Sequence, residues 1–207
     1  MKLAFFDVET GGLDADMHAL LELYMTVEVD GHTIGNFYAA MRPDTGKLVE
    51  EEAVLANKLW DKSISFTEFR RSLDENRENS FSAYQRFQVF LKQLVNKWDK
   101  QDKLFLLGYN SAAFDDKFLR EFVRYHEPTN KFAYGSFFHW PTGDVAILAQ
   151  FALGDEWAKL TSRKLADVAR RFGVGVQEEQ LHGAKYDTMV TRDLYYAVVK
   201  MIQEKKT

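Results

Sequence analysis

The sequence predicts an α/β domain built on a mixed sheet, and three observations carry that prediction. Three strand-like runs come first and are joined by short links. A wholly apolar five-residue run, Leu104 to Gly108, then sits between helical patterns, as a strand covered on both faces does. The last hundred residues continue in helix-length segments, so the chain passes from consecutive strands to alternating strand and helix. The first three strands should pair antiparallel and the later ones parallel, with helices flanking the sheet.

Each element follows from its own pattern. Residues 3–8 (LAFFDV) read as a buried strand. Residues 20–29 and 33–41 read as the second and third strands, joined by the turn Asp30-Gly31. Pro43 to Lys47 is a turn region, and residues 50–80, charged but with Trp60, Ile64, Phe66 and Phe69 embedded, read as short helices and loops. From Phe81 to Trp98 the residues Phe87, Phe90, Leu91, Leu94, Val95 and Trp98 recur at helical spacing. Helices are expected at 112–125, 144–153, 162–172 and 185–204, while the aromatic stretch 132–142 fits no single element. With no repeat, linker or low-complexity segment, one domain over 1–207 is the simplest organisation.

Composition removes several classes. The chain has no cysteine, which excludes disulfides and thiolate-held metals. The opening apolar run is too short for a signal peptide and no later run is long enough for a membrane span, so a soluble, cytoplasmic protein is expected. The net charge of −4 argues against a broad phosphate-binding surface. Cations bound in an acidic site would invert that local charge, and Arg163, Lys164, Arg170, Arg171 and Lys185 offer a short basic rim. Solvated helix faces explain those five equally well.

The chemistry concentrates in three clusters. Asp7 and Glu9 share one face of the first strand, where two carboxylates among apolar neighbours call for a partner such as a divalent cation. Gly11 and Gly12 then allow a sharp turn and close approach to a ligand. With 16 Asp and 15 Glu, chance alone gives about one D-x-E, so position on a buried strand carries the signal. The second cluster, Asn110 to Asp116, follows the apolar strand and opens a helix. Asp115 shares a face with Phe118, Leu119 and Phe122 and is assigned inward; Asp116 shares its face with Arg120 and is read as solvated. Alternatively, both acids favour the helix N-terminus, and Asn110 is its cap. In the third cluster, His182 and Asp187 converge only if the histidine is on a loop and the aspartate in the first turn of the last helix, with Gly183 as the break. Asp187 continues the core stripe Val190, Leu194, Val198 and Met201. Four inward carboxylates can hold two divalent ions, and a histidine with an ordinary pKa near 6.5 suits proton abstraction from water.

In order, DVET, NSAAFD and HGAKYD resemble the three exonuclease motifs of the DEDD superfamily. The histidine places the resemblance in the branch that holds proofreading subunits, exonuclease I and oligoribonuclease. The tyrosine branch would need a tyrosine where Gly183 stands. The resemblance runs over roughly residues 3–200 and takes in KLADVARRFGV and DVAILA. It implies a ribonuclease-H-like fold, two Mg2+ or Mn2+ ions, and 3′→5′ release of nucleoside 5′-monophosphates from a nucleic acid with a free, single-stranded 3′ end. Asp7, Glu9, Asp115 and Asp187 would be metal ligands and His182 the general base. Leu13 and Phe114 would pack on the terminal base, and Thr10 and Asn110 would touch the terminal nucleotide. GYNSAAFDD favours DNA slightly over short RNA as substrate. A non-catalytic binding module and an unrelated phosphatase are the readings of other classes. Residues 50–80 and 127–143 match no pattern of the family; Phe137, Phe138 and Trp140 there would stack bases or pack in the core.

Overall fold

The computed structural model describes residues 1–205. Five strands form one sheet in the order β3-β2-β1-β4-β5: β1 is Lys2–Thr10, β2 Leu20–Val29, β3 His32–Ala40, β4 Leu104–Gly108 and β5 Gly143–Asp144. The β1–β2 and β2–β3 pairs are antiparallel, and β1–β4 and β4–β5 are parallel, as the sequence predicts. Asp30 and Gly31 both take positive φ, 51° and 78°, which is the backbone a two-residue hairpin needs.

Central β1 is covered on both faces. Ala4, Phe6 and Val8 join a cluster with Phe87 and Leu91 of α3 (Ser80–Leu94) and Phe118, Leu119 and Phe122 of α4 (Asp115–His126). On the other face, Phe5 meets Val145 and Ala149 of α5 (Val145–Leu153), Val168 of α6 (Leu165–Arg171), and Leu194 and Val198 of α7 (Ala184–Glu204). That second face runs Leu3, Phe5, Asp7, Glu9: apolar where the helices press on it, acidic toward the C-terminal end. A third cluster packs Val54 of α1 (Glu51–Ala56), Phe69 and Leu73 of α2 (Phe66–Asn76), and Trp60 between them around Leu21; these are the short helices expected within 50–80. No helix among the described residues is long and apolar enough to cross a membrane.

Several expectations need correction. The helix from Phe81 stops at Leu94, and Trp98 is 84% exposed instead of lying on its apolar stripe. Asn96 explains the stop: its side chain accepts the Trp98 N–H and its own N–H goes to Asp102, so local side-chain bonds replace the helical ladder. The 132–142 stretch, which fitted no single element, holds a short 3-10 turn, Tyr134–Ser136, and sends Phe137 and Phe138 into the core, the role that the sequence reading favoured for them. Gly11 and Gly12 are required by the chain's own packing. A Cβ on Gly11 would lie 2.7 Å from the Leu48 carbonyl oxygen, and one on Gly12 would lie 2.1 Å from the ring of buried His18. Gly12→Ala should therefore lower stability by about 1–3 kcal/mol through overpacking, read as a lower midpoint in urea. An unchanged midpoint would mean that His18 moves aside freely.

Candidate active site

Three elements bring the acids together. Asp7 and Glu9 come from β1, and Asp187 comes from the first turn of α7, one step ahead of its buried stripe Val190, Leu194 and Val198. Carboxylate oxygens of these three lie within 4.8 Å of one another, a spacing suited to a shared cation. Asp115, the first residue of α4, is buried beside them but outside this trio; its Oδ1 accepts the Val8 N–H at 3.3 Å. His182 sits on the loop before α7, exposed, with φ +67°. Its backbone N–H donates to Asp187 Oδ2 at 3.3 Å, while the other oxygen, Oδ1, is buried with no hydrogen-bond partner. A cleft of about 1040 Å³ opens onto Asp7, Asp187, His182 and Asn110.

Like charges in a buried space make these acids hard to ionise. Burial holds the Asp7 carboxyl well above its usual range, and Asp115, Glu9 and Asp187 add repulsion. Burial, reinforced by Asp187, Glu22 and Asp115, pushes Glu9 up to about 9 against an opposing hydrogen bond from Asn57. Asp115 rises to about 7, chiefly by burial, with the Val8 N–H among the bonds that hold it back. Burial also raises Asp187, opposed by the His182 N–H and by the charges of His182 and Lys58. Such a set fits divalent cations, since oxygen-only ligands, an unpartnered buried oxygen and mutual repulsion are all resolved by added positive charge.

Carboxyl pKa values raised in the folded state give stability that is full below the unfolded values near 4 and lost as pH rises through about 7 and about 9. The metal-free protein should melt lower at pH 8.5 than at pH 5.5. Glu9→Gln should flatten that slope, and Mn2+ should restore Tm at the higher pH because it binds the deprotonated set. A metal-free Tm that rises over this range in both proteins would contradict the picture.

The remaining expected residues divide between the cleft and other places. Asn110 is exposed with φ +58°, and its backbone N–H, not its side chain, is used, donating to Asp144 Oδ1 at 3.0 Å. Thr10 is buried and its hydroxyl donates to the Gly12 carbonyl at 2.7 Å. Leu13 is 83% exposed, and Phe114 is half-buried against Phe118. Arg163, Lys164 and Arg170 line the cleft; Arg171 instead pairs with Glu156, and Lys185 faces a separate pocket. Asp116 is not solvated: it is 5% exposed, bonded to Arg120 and to the Tyr134 hydroxyl. The sequence reading missed Asp144, which caps α5 through the Ala146 N–H and fixes Asn110. An aspartate directly before an apolar helical run was the available signal. It also missed Asn57 and Lys58, for which no local pattern exists.

A five-stranded mixed sheet with acids converging beside its parallel strands is the ribonuclease-H-like fold. The comparisons agree with this. Escherichia coli exonuclease I, in complex with a dT13 oligonucleotide, superposes with a TM-score of 0.69 at 21% identity, over 99% of this chain and 42% of that one. A product-bound exonuclease I gives 0.67 at 19% identity. The chain therefore spans about two fifths of the length of exonuclease I. In sequence it is similar to ribonuclease T of Vibrio campbellii, 27% identical over 203 residues, covering 93% of this chain and 83% of the relative. Ribonuclease T of Buchnera aphidicola is 24% identical over 200 residues, covering 93% and 80%. No known family profile matches the chain. These likenesses bear out the resemblance to the DEDD 3′→5′ exonucleases, and the loop histidine fits their histidine branch.

Proposed function

We infer that the chain is a single metal-dependent exonuclease domain that removes nucleoside 5′-monophosphates from the 3′ end of single-stranded nucleic acid. The observation that carries this reading is the convergence of Asp7, Glu9 and Asp187 within 4.8 Å, with one buried Asp187 oxygen unpartnered. Asp7, Glu9 and Asp187, with Asp115 behind them, would hold two divalent ions, Mg2+ or Mn2+. Ions held there would supply acidity to a bound water and positive charge to a leaving oxygen.

The protein's own groups supply the rest. His182, on its exposed loop at the cleft, takes a proton from the attacking water. The water oxygen bonds to phosphorus, the P–O3′ bond breaks, and the leaving 3′-oxygen takes a proton from solvent, to which His182 returns the one it accepted. Asp187 positions the His182 loop by accepting its backbone N–H. Arg163 and Lys164, which line the cleft, meet strand phosphates, and on the family resemblance Leu13 and Phe114 flank the terminal base.

DNA is the favoured strand, on the likeness of the second motif and on the oligonucleotide-bound exonuclease I folds. RNA is the second reading, favoured by sequence relatives that carry the name ribonuclease T. The test is 5′-labelled DNA and RNA of one sequence, incubated with Mg2+, Mn2+ or chelator. A metal-dependent ladder shortening from the 3′ end is expected, faster on DNA; no shortening of either strand would overturn the reading.

A further inference from the structure

His182 takes a left-handed backbone, φ +67°, which a histidine keeps only where neighbouring bonds hold the chain. Its N–H to Asp187 supplies one such bond. The residues before it, 177–180, are exposed and held by polar ties. The Gln177 N–H donates to the Tyr186 hydroxyl of α7 at 2.7 Å, and the Glu178 carboxylate pairs with Arg170 of α6. Both partners stand on the helices that flank the loop. A further bond comes from a distant part of the chain: Lys58 Nζ donates to the Glu178 carbonyl oxygen at 3.2 Å, across 120 positions of sequence.

Lys58 belongs to the corner that follows α1, and that corner is built against the acids. The Asn57 side chain donates to the Thr10 carbonyl at 3.1 Å and also bonds the Glu9 carboxylate. The Lys58 N–H returns to the Leu55 carbonyl at 3.2 Å, and Lys58 turns left-handed with φ +55°. Just past the end of a helix, glycine is the residue least strained by that backbone. A lysine there is unfavourable for the backbone, so its side chain is the part to explain. The ammonium reaches the His182 loop, and its charge is among those that oppose the burial raising the Asp187 carboxyl. Packing does not ask for it: Lys58 is exposed, and the apolar contacts of the corner come from Val54, Leu59 and Trp60.

We propose that Lys58 is a positioning residue for the hydrolysis, clamping the His182 loop to the corner that Asn57 fixes on β1. The proposal rests on the nuclease reading and deepens it by naming what sets the general base in place. Asn57 ties the corner to the strand that carries Asp7 and Glu9, and Lys58 ties the loop to the corner, so acids and histidine share one frame. A charged donor on a carbonyl is a stronger tie than a neutral pair, and an exposed loop depends on such ties. With the tie gone, the loop samples places from which His182 does not reach the attacking water. Rate then falls through positioning and not through strand affinity, because strand phosphates in this reading are met by Arg163 and Lys164.

The experiment compares the whole protein with Lys58→Met, which keeps the length of the side chain and removes its donor, and with Lys58→Arg, which keeps a charged donor. Steady-state cleavage of a 5′-labelled oligothymidylate with Mn2+ separates kcat from KM. Lys58→Met should lower kcat about five- to tenfold with KM nearly unchanged, and Lys58→Arg should recover most of the loss. Tm should be the same for all three proteins, as expected of an exposed side chain. A raised KM with unchanged kcat would make Lys58 a strand contact, and kcat and KM both unchanged would leave it a surface lysine; either result overturns the proposal. A loss that Lys58→Arg does not recover, or one matched by a lower Tm, overturns it as well. Hydrogen exchange in chelator reads the clamp without turnover: amides of 178–183 should exchange several times faster in Lys58→Met, and those of β1 at the wild-type rate. Equal exchange at 178–183 overturns the clamp even where kcat falls. Wild-type protein that cleaves no strand overturns the nuclease reading and the catalytic role of Lys58 with it, whereas an active wild type matched by Lys58→Met overturns this inference alone.

Discussion

Asp7→Asn is expected to reduce turnover about a thousandfold or more and, at the same time, to raise the Tm of the metal-free protein. The loss follows from removing one of three carboxylates that converge within 4.8 Å. Metal-assisted charge stabilisation is worth several kcal/mol, and about 1.4 kcal/mol is a factor of ten in rate. The gain follows from the electrostatics: Asp7 is buried, repelled by Asp115, Glu9 and Asp187, and its carboxyl is held well above the usual range. An asparagine there removes a charge that folding must otherwise strip of water. Turnover and thermal melting in chelator check both halves. Near-normal turnover would remove Asp7 from the metal site; lost turnover with a lowered Tm would mean that the carboxylate is instead part of the scaffold.

His182→Asn should cost between about a hundredfold and ten-thousandfold in kcat, the usual span for a general base. Asparagine is the substitution to make because residue 182 has φ +67°, a left-handed backbone that asparagine tolerates and alanine does not. The backbone N–H to Asp187 should survive, so Mn2+ affinity should change little while the rate collapses. Added imidazole should restore part of the activity if the lost group is a proton acceptor. A variant within threefold of wild type would assign proton transfer elsewhere.

The fold was legible where local pattern and tertiary role agree. The apolar runs of β1, β2 and β4 and the Asp30-Gly31 turn need no distant partner to be read. β5 was not legible, because two residues, Gly143–Asp144, are a strand only through pairing with Leu107 and Gly108. Among the acids, Asp7, Glu9 and Asp187 could be read because each interrupts an apolar face at the period of its own element. Asp116 was misread for the same reason that Asp115 was read. Its helical neighbour Arg120 marks a solvent face, and only Tyr134, 18 residues on, closes that face over. Trp98 failed in the opposite way: it kept helical spacing beyond a point where Asn96 had already ended the helix.

The central claim is hydrolysis at the 3′ end by water attack on phosphorus, and digestion in 18O-labelled water tests it most directly. A single-stranded oligonucleotide is incubated with the protein and Mn2+, and the released products are weighed by mass spectrometry. The account predicts nucleoside 5′-monophosphates carrying one 18O in the phosphate, released first from the 3′ end, and nothing released in chelator. Nucleoside 3′-phosphates, unlabelled products, or release that persists in chelator would contradict it.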